Sequence, residues 1–197
     1  MRKKIYSDHR RRLHSLWRNI LQNEWVMKLR SHSDQQHSEM IDPTTHVYNQ
    51  HGINSYLKEL FHQDEHGYAI VLLHVDDFKK LNEQHGKKFA EKALVTISNT
   101  LSQHLRDTDL IGRYGDEEFI FILSDINQHN AEAVAKRCHQ AVQKAKYYIG
   151  RKRYSLSVSL GVANSSTEFT SQQVLQQSDE ALFSAKNKGG NQVHVAS

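Results

Sequence analysis

Cysteine and proline are nearly absent from these 197 residues, with one of each, Cys138 and Pro43. A single thiol excludes a disulfide within the chain, so a reducing cytosol is the expected setting and the protein is expected to be cytoplasmic. No apolar run approaches the ~20 residues that a membrane-spanning helix needs, and no secretory signal pattern is visible. Nor is there an excess of one charge over the body of the chain. Residues 1–40 hold nine lysines and arginines against four acids, whereas the rest holds 17 against 18. The basic surplus therefore belongs to the N-terminal segment, and nucleic acid is not an expected partner of the remainder. With 38% hydrophobic and 24% charged residues, the composition is that of a soluble domain plus an appendage.

Leu13, Leu16, Trp17, Ile20, Leu21 and Trp25 recur at helical spacing, flanked by Arg10, Arg11, Arg12 and Arg18. Residues 1–30 thus read as an amphipathic basic helix. Its apolar stripe must be covered by its own domain, a second copy, a protein partner or, less favoured, an anionic membrane surface. A Ser-, His- and Gln-rich stretch follows as a linker over 31–41, and the main domain runs over 42–197. Within it, Ile53, Tyr56, Leu57, Leu60 and Phe61 make an amphipathic helix, and Ala69–Val75 reads as a central strand. Phe89 to Leu105 carries a longer helix, and Ala131 to Ala145 another, with Asn130 as its expected cap. Tyr154, Leu156, Val158, Leu160 and Val162 alternate strictly with Ser or Gly, which predicts one strand buried on one face. A last helix spans Val174–Ala185, and a short strand Gln192–Val195. The alternation predicts an α/β (α+β) fold, one mixed sheet covered by helices.

The most informative stretch is Gly112-Arg113-Tyr114-Gly115-Asp116-Glu117-Glu118-Phe119-Ile120-Phe121-Ile122-Leu123. It reads as a strand, a tight turn at Gly115-Asp116, and a buried strand. Glu117 and Glu118 stand at the tip and point to opposite faces, so at most one shares a site with a given neighbouring strand. An acidic hairpin tip can hold a divalent cation or face a nucleotide.

Arg-Tyr-Gly-Asp-Glu-Glu-Phe resembles the signature of the GGDEF family of diguanylate cyclases, with Asp116 in place of the second glycine. Other blocks follow in the family's order. Asp42-Pro43-Thr44-Thr45 with Asn49 comes first, then Phe78-Lys79-Lys80-Leu81-Asn82. Ser157 to Ala163 and Ser178 to Lys186 complete the set. The resemblance implies a palm-like fold related to nucleotidyl cyclases, with a mostly antiparallel central sheet surrounded by helices. It also implies a helical stalk that pairs two copies, making the chain a homodimer.

In active members two domains each hold one GTP, and a 3′-hydroxyl attacks the partner's α-phosphate, assisted by two divalent cations. Glu117 matches one cation ligand and, with Glu118, is the catalytic candidate. The other ligand position is His74, a poor substitute because magnesium prefers oxygen. Asp76, on the same face but about 7 Å along the strand, is the alternative ligand. Asp116 would bring a carboxylate toward a triphosphate, and Gly190 replaces a phosphate-binding arginine, although Lys186 is retained. Asn82 and Glu91 match the guanine-reading pair, and Lys79 lies in the phosphate-cradling loop. Magnesium or manganese is expected only if the domain turns over.

Arg106-Asp107-Thr108-Asp109 ends five residues before Gly115, the spacing of the family's inhibitory site for cyclic di-GMP, and Arg137 falls at the position of its second arginine. An arginine pair can meet guanine or phosphate oxygens, and an aspartate can accept from guanine. Three readings follow. The first is a non-catalytic domain that binds cyclic di-GMP through Arg106, Asp109 and Arg137. The second is a weakly active cyclase using Asp76 and Glu117, and the third an interaction protein that needs no nucleotide.

Overall fold

The computed structural model describes residues 39–60, 67–149, 152–166 and 169–196. The expected N-terminal helix and most of the expected linker lie outside these residues. Residues 39–41, however, are tied to the domain. The Asn49 amide donates to the Glu39 carbonyl at 2.6 Å, the Asn49 NH donates to the Met40 carbonyl, and Ile41 bridges to Tyr48.

The chain runs α1 (Gln50–Leu60), β1 (Tyr68–Val75), α2 (Phe78–His85), α3 (Lys87–Ser102), β2 (Leu110–Arg113) and β3 (Glu118–Ser124). It continues α4 (Gln128–Lys144), β4 (Tyr147–Ile149), β5 (Lys152–Tyr154), β6 (Val158–Asn164), α5 (Ser171–Asn187) and β7 (Val193–Val195). The main sheet has the order β2-β3-β1-β6-β7, antiparallel except for the parallel β6–β7 pair. This is the expected mixed sheet.

β1 holds the centre because its side chains are apolar on both faces. Ala69, Val71, Leu73 and Val75 join Phe119 and Phe121 in the core under α3 and α4. Ile70 and Leu72 join Ile120 and Ile122 on the opposite face, with Ile53 of α1 and Val174 and Leu182 of α5. A period-2 strand buried on both sides needs such a continuous run, and β3 (Phe119 to Leu123) has one as well.

Several boundaries differ from the sequence reading, each for a physical reason. α3 stops at Ser102, so Leu105 packs on the core from beyond the helix. α4 starts three residues before Ala131: the Asn127 side chain caps it by accepting the Asn130 NH, so Asn130 is the capped residue and not the cap. The Phe78–Asn82 segment forms α2, so Lys79 lies on a helix and not in a loop. Tyr154 belongs to the separate β4–β5 hairpin, not to the strand that carries Leu160.

The strand expected to be half-buried, β6, is buried from Val158 to Ala163 on both faces. Gly161 and Ala163 are small because α5 packs on them, and Ser159 turns its hydroxyl to Asp76. A β-carbon on Gly161 would sit 2.1 Å from the Ser178 carbonyl oxygen and 2.2 Å from the Leu182 nitrogen. Polar-looking alternation here is close packing. Gly161→Val should therefore lower stability by about 3 kcal/mol, as overpacking a filled interior does. Chemical denaturation checks this, as a midpoint shift well beyond that of a Val162→Ala control on the other face.

Candidate functional site

A cleft of about 630 Å³ opens between the β2–β3 hairpin and helices α2 and α3. Its walls include Phe78, Lys79 and Asn82 from α2, Ala90, Glu91 and Leu94 from α3, and Asp116, Glu117 and Glu118 from the hairpin. Thr44, Lys87 and Arg113 complete it. The sequence candidates Lys79, Asn82, Glu91, Glu117 and Glu118 thus meet in one place. Lys186 does not: it is exposed in the last turn of α5 and is not a wall residue of the cleft.

The hairpin tip is held by Arg113. Its Nε donates to the Gly115 carbonyl at 3.2 Å and its Nη2 to the Asp116 carbonyl at 2.8 Å. Its Nη1 donates to Asp42 Oδ2 at 3.3 Å, while Asp42 Oδ1 accepts from the Thr45 NH at 2.7 Å and hydroxyl at 2.6 Å. One guanidinium therefore fastens the turn to the segment that starts the domain. Burial alone would raise the Asp42 carboxyl, but the two Thr45 hydrogen bonds and the Arg113 charge outweigh it and hold the group below its ordinary value. Sequence reading quoted Arg113 and Asp42 within motifs without assigning them this job, because 71 residues separate them. Within the tip, the Tyr114 NH donates to the Glu118 carbonyl at 2.8 Å, and Glu118 folds its carboxylate over Gly115.

β1 delivers His74 and Asp76 to the end of the sheet, where its two neighbours divide them. His74 turns to the β3 side, with its Nε2 3.0 Å from Glu117 Oε1. A carboxylate only accepts, so Nε2 carries the proton and donates. His74 Nδ1 is buried and has no hydrogen-bond partner among the described residues. Asp76 turns to the β6 side. Its Oδ1 accepts from Ser159 Oγ at 2.7 Å and its Oδ2 from the Asn191 NH at 3.0 Å. Asn191 Oδ1 in turn accepts from His139 Nε2 at 3.0 Å and from the Gln143 amide, which ties this loop to α4. Gly190, with φ +70°, lets the loop make this approach: a β-carbon there would lie 3.4 Å from Asp76 Oδ1 in a left-handed backbone.

The expected cation ligands fit magnesium or manganese badly. Glu117 accepts from an imidazole N–H, that nitrogen has no lone pair to offer, and both Asp76 oxygens are engaged elsewhere. Among the described residues no three His, Cys, Asp or Glu side chains converge as a metal site. The structure does not bring Asp76 to Glu117 as a ligand pair.

The second candidate site lies at the far end of α3. The chain leaves α3 through a turn in which the Asp109 NH donates to the Arg106 carbonyl at 3.0 Å and Asp109 Oδ2 accepts the Arg106 NH at 2.8 Å. Asp109 is 4% exposed, so at least one carboxylate oxygen shapes the turn where acceptance from a ligand was expected. Arg137 reaches across from α4, its Nη2 donating to the His104 carbonyl at 2.7 Å. Burial pushes the neighbouring Cys138 thiol up to about 12, with Arg137 opposing and Asp109 adding to the rise, so both charges flank it. Arg106 and Arg137 are both exposed.

A mixed sheet covered by helices, with an acidic hairpin at the mouth of a cleft, defines an α/β palm-like domain. Residues 39–192 match the family described as diguanylate cyclase, GGDEF domain, and the chain belongs to that family. The chain is 29% identical over 164 residues to the probable diguanylate cyclase DgcT of Escherichia coli K12, a span covering 78% of this chain and 35% of that protein. With diguanylate cyclase DgcP of Pseudomonas aeruginosa it shares 26% over 166 residues, 83% of this chain and 25% of the relative. It thus spans about a third or less of the length of these curated relatives. Among solved structures, diguanylate cyclase SiaD of Pseudomonas aeruginosa, in complex with its activator SiaC, matches with a TM-score of 0.77 at 25% identity, covering 100% of this chain and 79% of that one. The GGDEF domain of DgcB from Caulobacter crescentus, in complex with c-di-GMP, matches at 0.75 with 20% identity, over 80% of this chain and 95% of that one, and shows the fold alone. No helix among the described residues is long and apolar enough to cross a membrane.

The Asp42 carboxylate contributes stability above its ordinary value of 3.8 and loses that contribution as pH falls through its depressed folded value. Asp42→Ala should cost about 2 kcal/mol at neutral pH, since it leaves Arg113 and the Thr45 NH without their charged acceptor. The difference from wild type should shrink at acid pH, which urea unfolding at pH 7 and pH 3.5 measures.

Proposed function

We propose that this chain is a GGDEF domain that works in cyclic di-GMP signalling as a receptor and not as a cyclase. The receptor site is the turn after α3. The observation that carries the reading is the reach of Arg137 from α4 to the His104 carbonyl, which sets its guanidinium beside the Arg106 turn. Two exposed guanidinium groups on a turn held by a buried aspartate offer a pre-arranged set of donors. Guanine O6 and N7 and phosphate oxygens all accept from such donors, and a cyclic dinucleotide carries both kinds of group. Asp109 contributes by fixing the turn, so the ligand need not order it.

The absence of turnover in this proposal rests on the donor set around His74. Two-cation catalysis of phosphoryl transfer needs hard oxygen ligands at the hairpin. Here Glu117 serves an imidazole and Asp76 serves Ser159 and Asn191. The names of the curated relatives favour the other reading, condensation of two GTP molecules. Copies paired through the N-terminal segment, or a protein bound there, would pass the ligand state on.

Calorimetry decides between them. Cyclic di-GMP should bind the whole chain, and Arg106→Ala or Arg137→Ala should each weaken it by about tenfold or more, the loss of a charge-assisted contact. GTP incubated with Mg²⁺ or Mn²⁺ should yield no cyclic di-GMP. Undiminished binding to Arg106→Ala, or cyclic product that disappears in Glu117→Ala, overturns the proposal.

A further inference from the structure

We infer that the outer face of the β4–β5 hairpin is a docking surface for an anionic lipid bilayer, on which the domain rests peripherally. The face uses none of the residues assigned to the cleft or to the turn after α3, and the inference does not depend on the receptor reading.

Residues 41–197 are balanced in charge by number but not by place. Of their 17 bases and 18 acids, seven bases and no acid fall between Ala133 and Thr167. Lys144, Lys146, Arg151, Lys152 and Arg153 are among the seven. A segment so composed cannot pair its cations with near neighbours in sequence. Lys144, Lys146 and Arg153 make no ion pair among the described residues. Acids gather instead at the cleft, where Glu91, Asp116, Glu117 and Glu118 stand.

Strand register decides which side of the hairpin these cations take. Tyr147 pairs with Tyr154, and Tyr148 with Arg153. Directly opposed side chains share a face and successive ones alternate. The Tyr147–Tyr154 face is turned inward. Tyr147 is 2% exposed, and its hydroxyl donates to the Val142 carbonyl at 3.2 Å. The Tyr154 ring lies 4.7 Å from that of His85 and 5.7 Å from that of Phe89, which fastens the hairpin against α2 and α3. With that face spent on the core, Tyr148 and Arg153 face out, and both are exposed, Tyr148 to 46%. Lys144, in the last turn of α4, and Lys146, two residues before Tyr148, are exposed at the entry to the hairpin.

Three unpaired cations and one amphipathic ring suit a surface better than a shaped ligand. Arg153 stands opposite Tyr148 and not opposite another cation, so the strand pair offers no matched donors to a single phosphate. An anionic bilayer presents many phosphates in a plane. It attracts each nearby lysine or arginine and accommodates a tyrosine at the level of its headgroups. Each cation strengthens partitioning by about fivefold, so three alone give marginal binding. Stable attachment to a membrane surface takes two signals. The second is in residues 1–30, whose sequence joins a Leu- and Trp-bearing stripe to a surplus of basic residues.

Cosedimentation of the whole chain with lipid vesicles tests this, using phosphatidylcholine alone and phosphatidylcholine with about a third phosphatidylglycerol. The chain should bind only the mixed vesicles, and about 0.5 M salt should release it. Lys146→Ala combined with Arg153→Ala should lower partitioning about tenfold or more, and Tyr148→Ala about threefold, each with an unchanged unfolding midpoint. Lys58→Ala combined with Lys188→Ala removes the same charge from α1 and the end of α5, across the sheet, and should leave partitioning as in wild type. Failure to bind the mixed vesicles overturns the inference. So does wild-type partitioning of the Lys146, Arg153 double variant, which would put the contact elsewhere in the chain. A single-stranded oligonucleotide that binds more tightly than the vesicles, and loses its hold in that same variant, overturns it too by giving the face to nucleic acid. None of these outcomes alters the response to cyclic di-GMP, so the receptor reading is decided separately.

Discussion

The site depends on how β1 ends. The strand is hydrogen-bonded to β3 on one side and β6 on the other, and its side chains are buried on both faces as far as Val75. A strand so enclosed can present polar groups only at its end. His74 and Asp76 appear there, and the two flanking strands offer different partners. Glu117 leads into β3, while Ser159 lies in β6. The division of labour between histidine and aspartate is therefore set by the sheet order and not by either side chain's chemistry. Once His74 is given to Glu117, Asp76 is left to organise the loop after α5.

Gly189, Gly190 and Asn191 all have positive φ, at 108°, 70° and 53°. The two glycines take such angles without steric cost, whereas Asn191 costs backbone free energy unless something rewards its conformation. Here the reward is internal: the Asn191 NH points at Asp76 and Ser159, and the Asn191 side chain takes donors from α4. An arginine at Gly190 would have to adopt the left-handed backbone and bring its β-carbon within 3.4 Å of Asp76. The replacement of the family's arginine by glycine and the inward turn of Asp76 are two sides of one packing solution.

Most of the architecture was legible in the sequence. The apolar runs Ala69–Val75 and Phe119–Leu123, the helical stripes and the motif order gave the sheet and its helices. What failed did so where one residue type serves two purposes. Serine and glycine between Val158 and Val162 look like a solvated face, yet Gly161 is small so that α5 can touch the strand, and Ser159 turns its hydroxyl to Asp76. Asn130 looks like a cap, yet Asn127 three residues earlier has the same chemistry and the extended backbone a cap needs. At the site, the resemblance to the family is what put Asn82, Glu91, Lys79 and Glu117 together, and the cleft holds all four. The turning away of Asp76 and the inward turn of Asp109 were not legible. Both depend on hydrogen-bond partners distant in sequence or on burial, and a linear pattern carries neither.

The two candidate sites differ in what their polar groups still have to offer. At the hairpin and the end of β1, Arg113 is matched to Asp42 and two carbonyls, His74 to Glu117, and Asp76 to Ser159 and Asn191. Closing such contacts stabilises the fold, and a ligand that needs those same groups must first break them. At the end of α3 the internal bonds are fewer and fall on backbone atoms, leaving much of the guanidinium of Arg137, and that of Arg106, facing outward. A ligand bound there, as proposed, would cost little reorganisation, because the turn is already formed. Two-cation chemistry would instead need oxygen ligands beside Glu117, where the chain has the His74 imidazole and turns Asp76 toward Ser159 and Asn191.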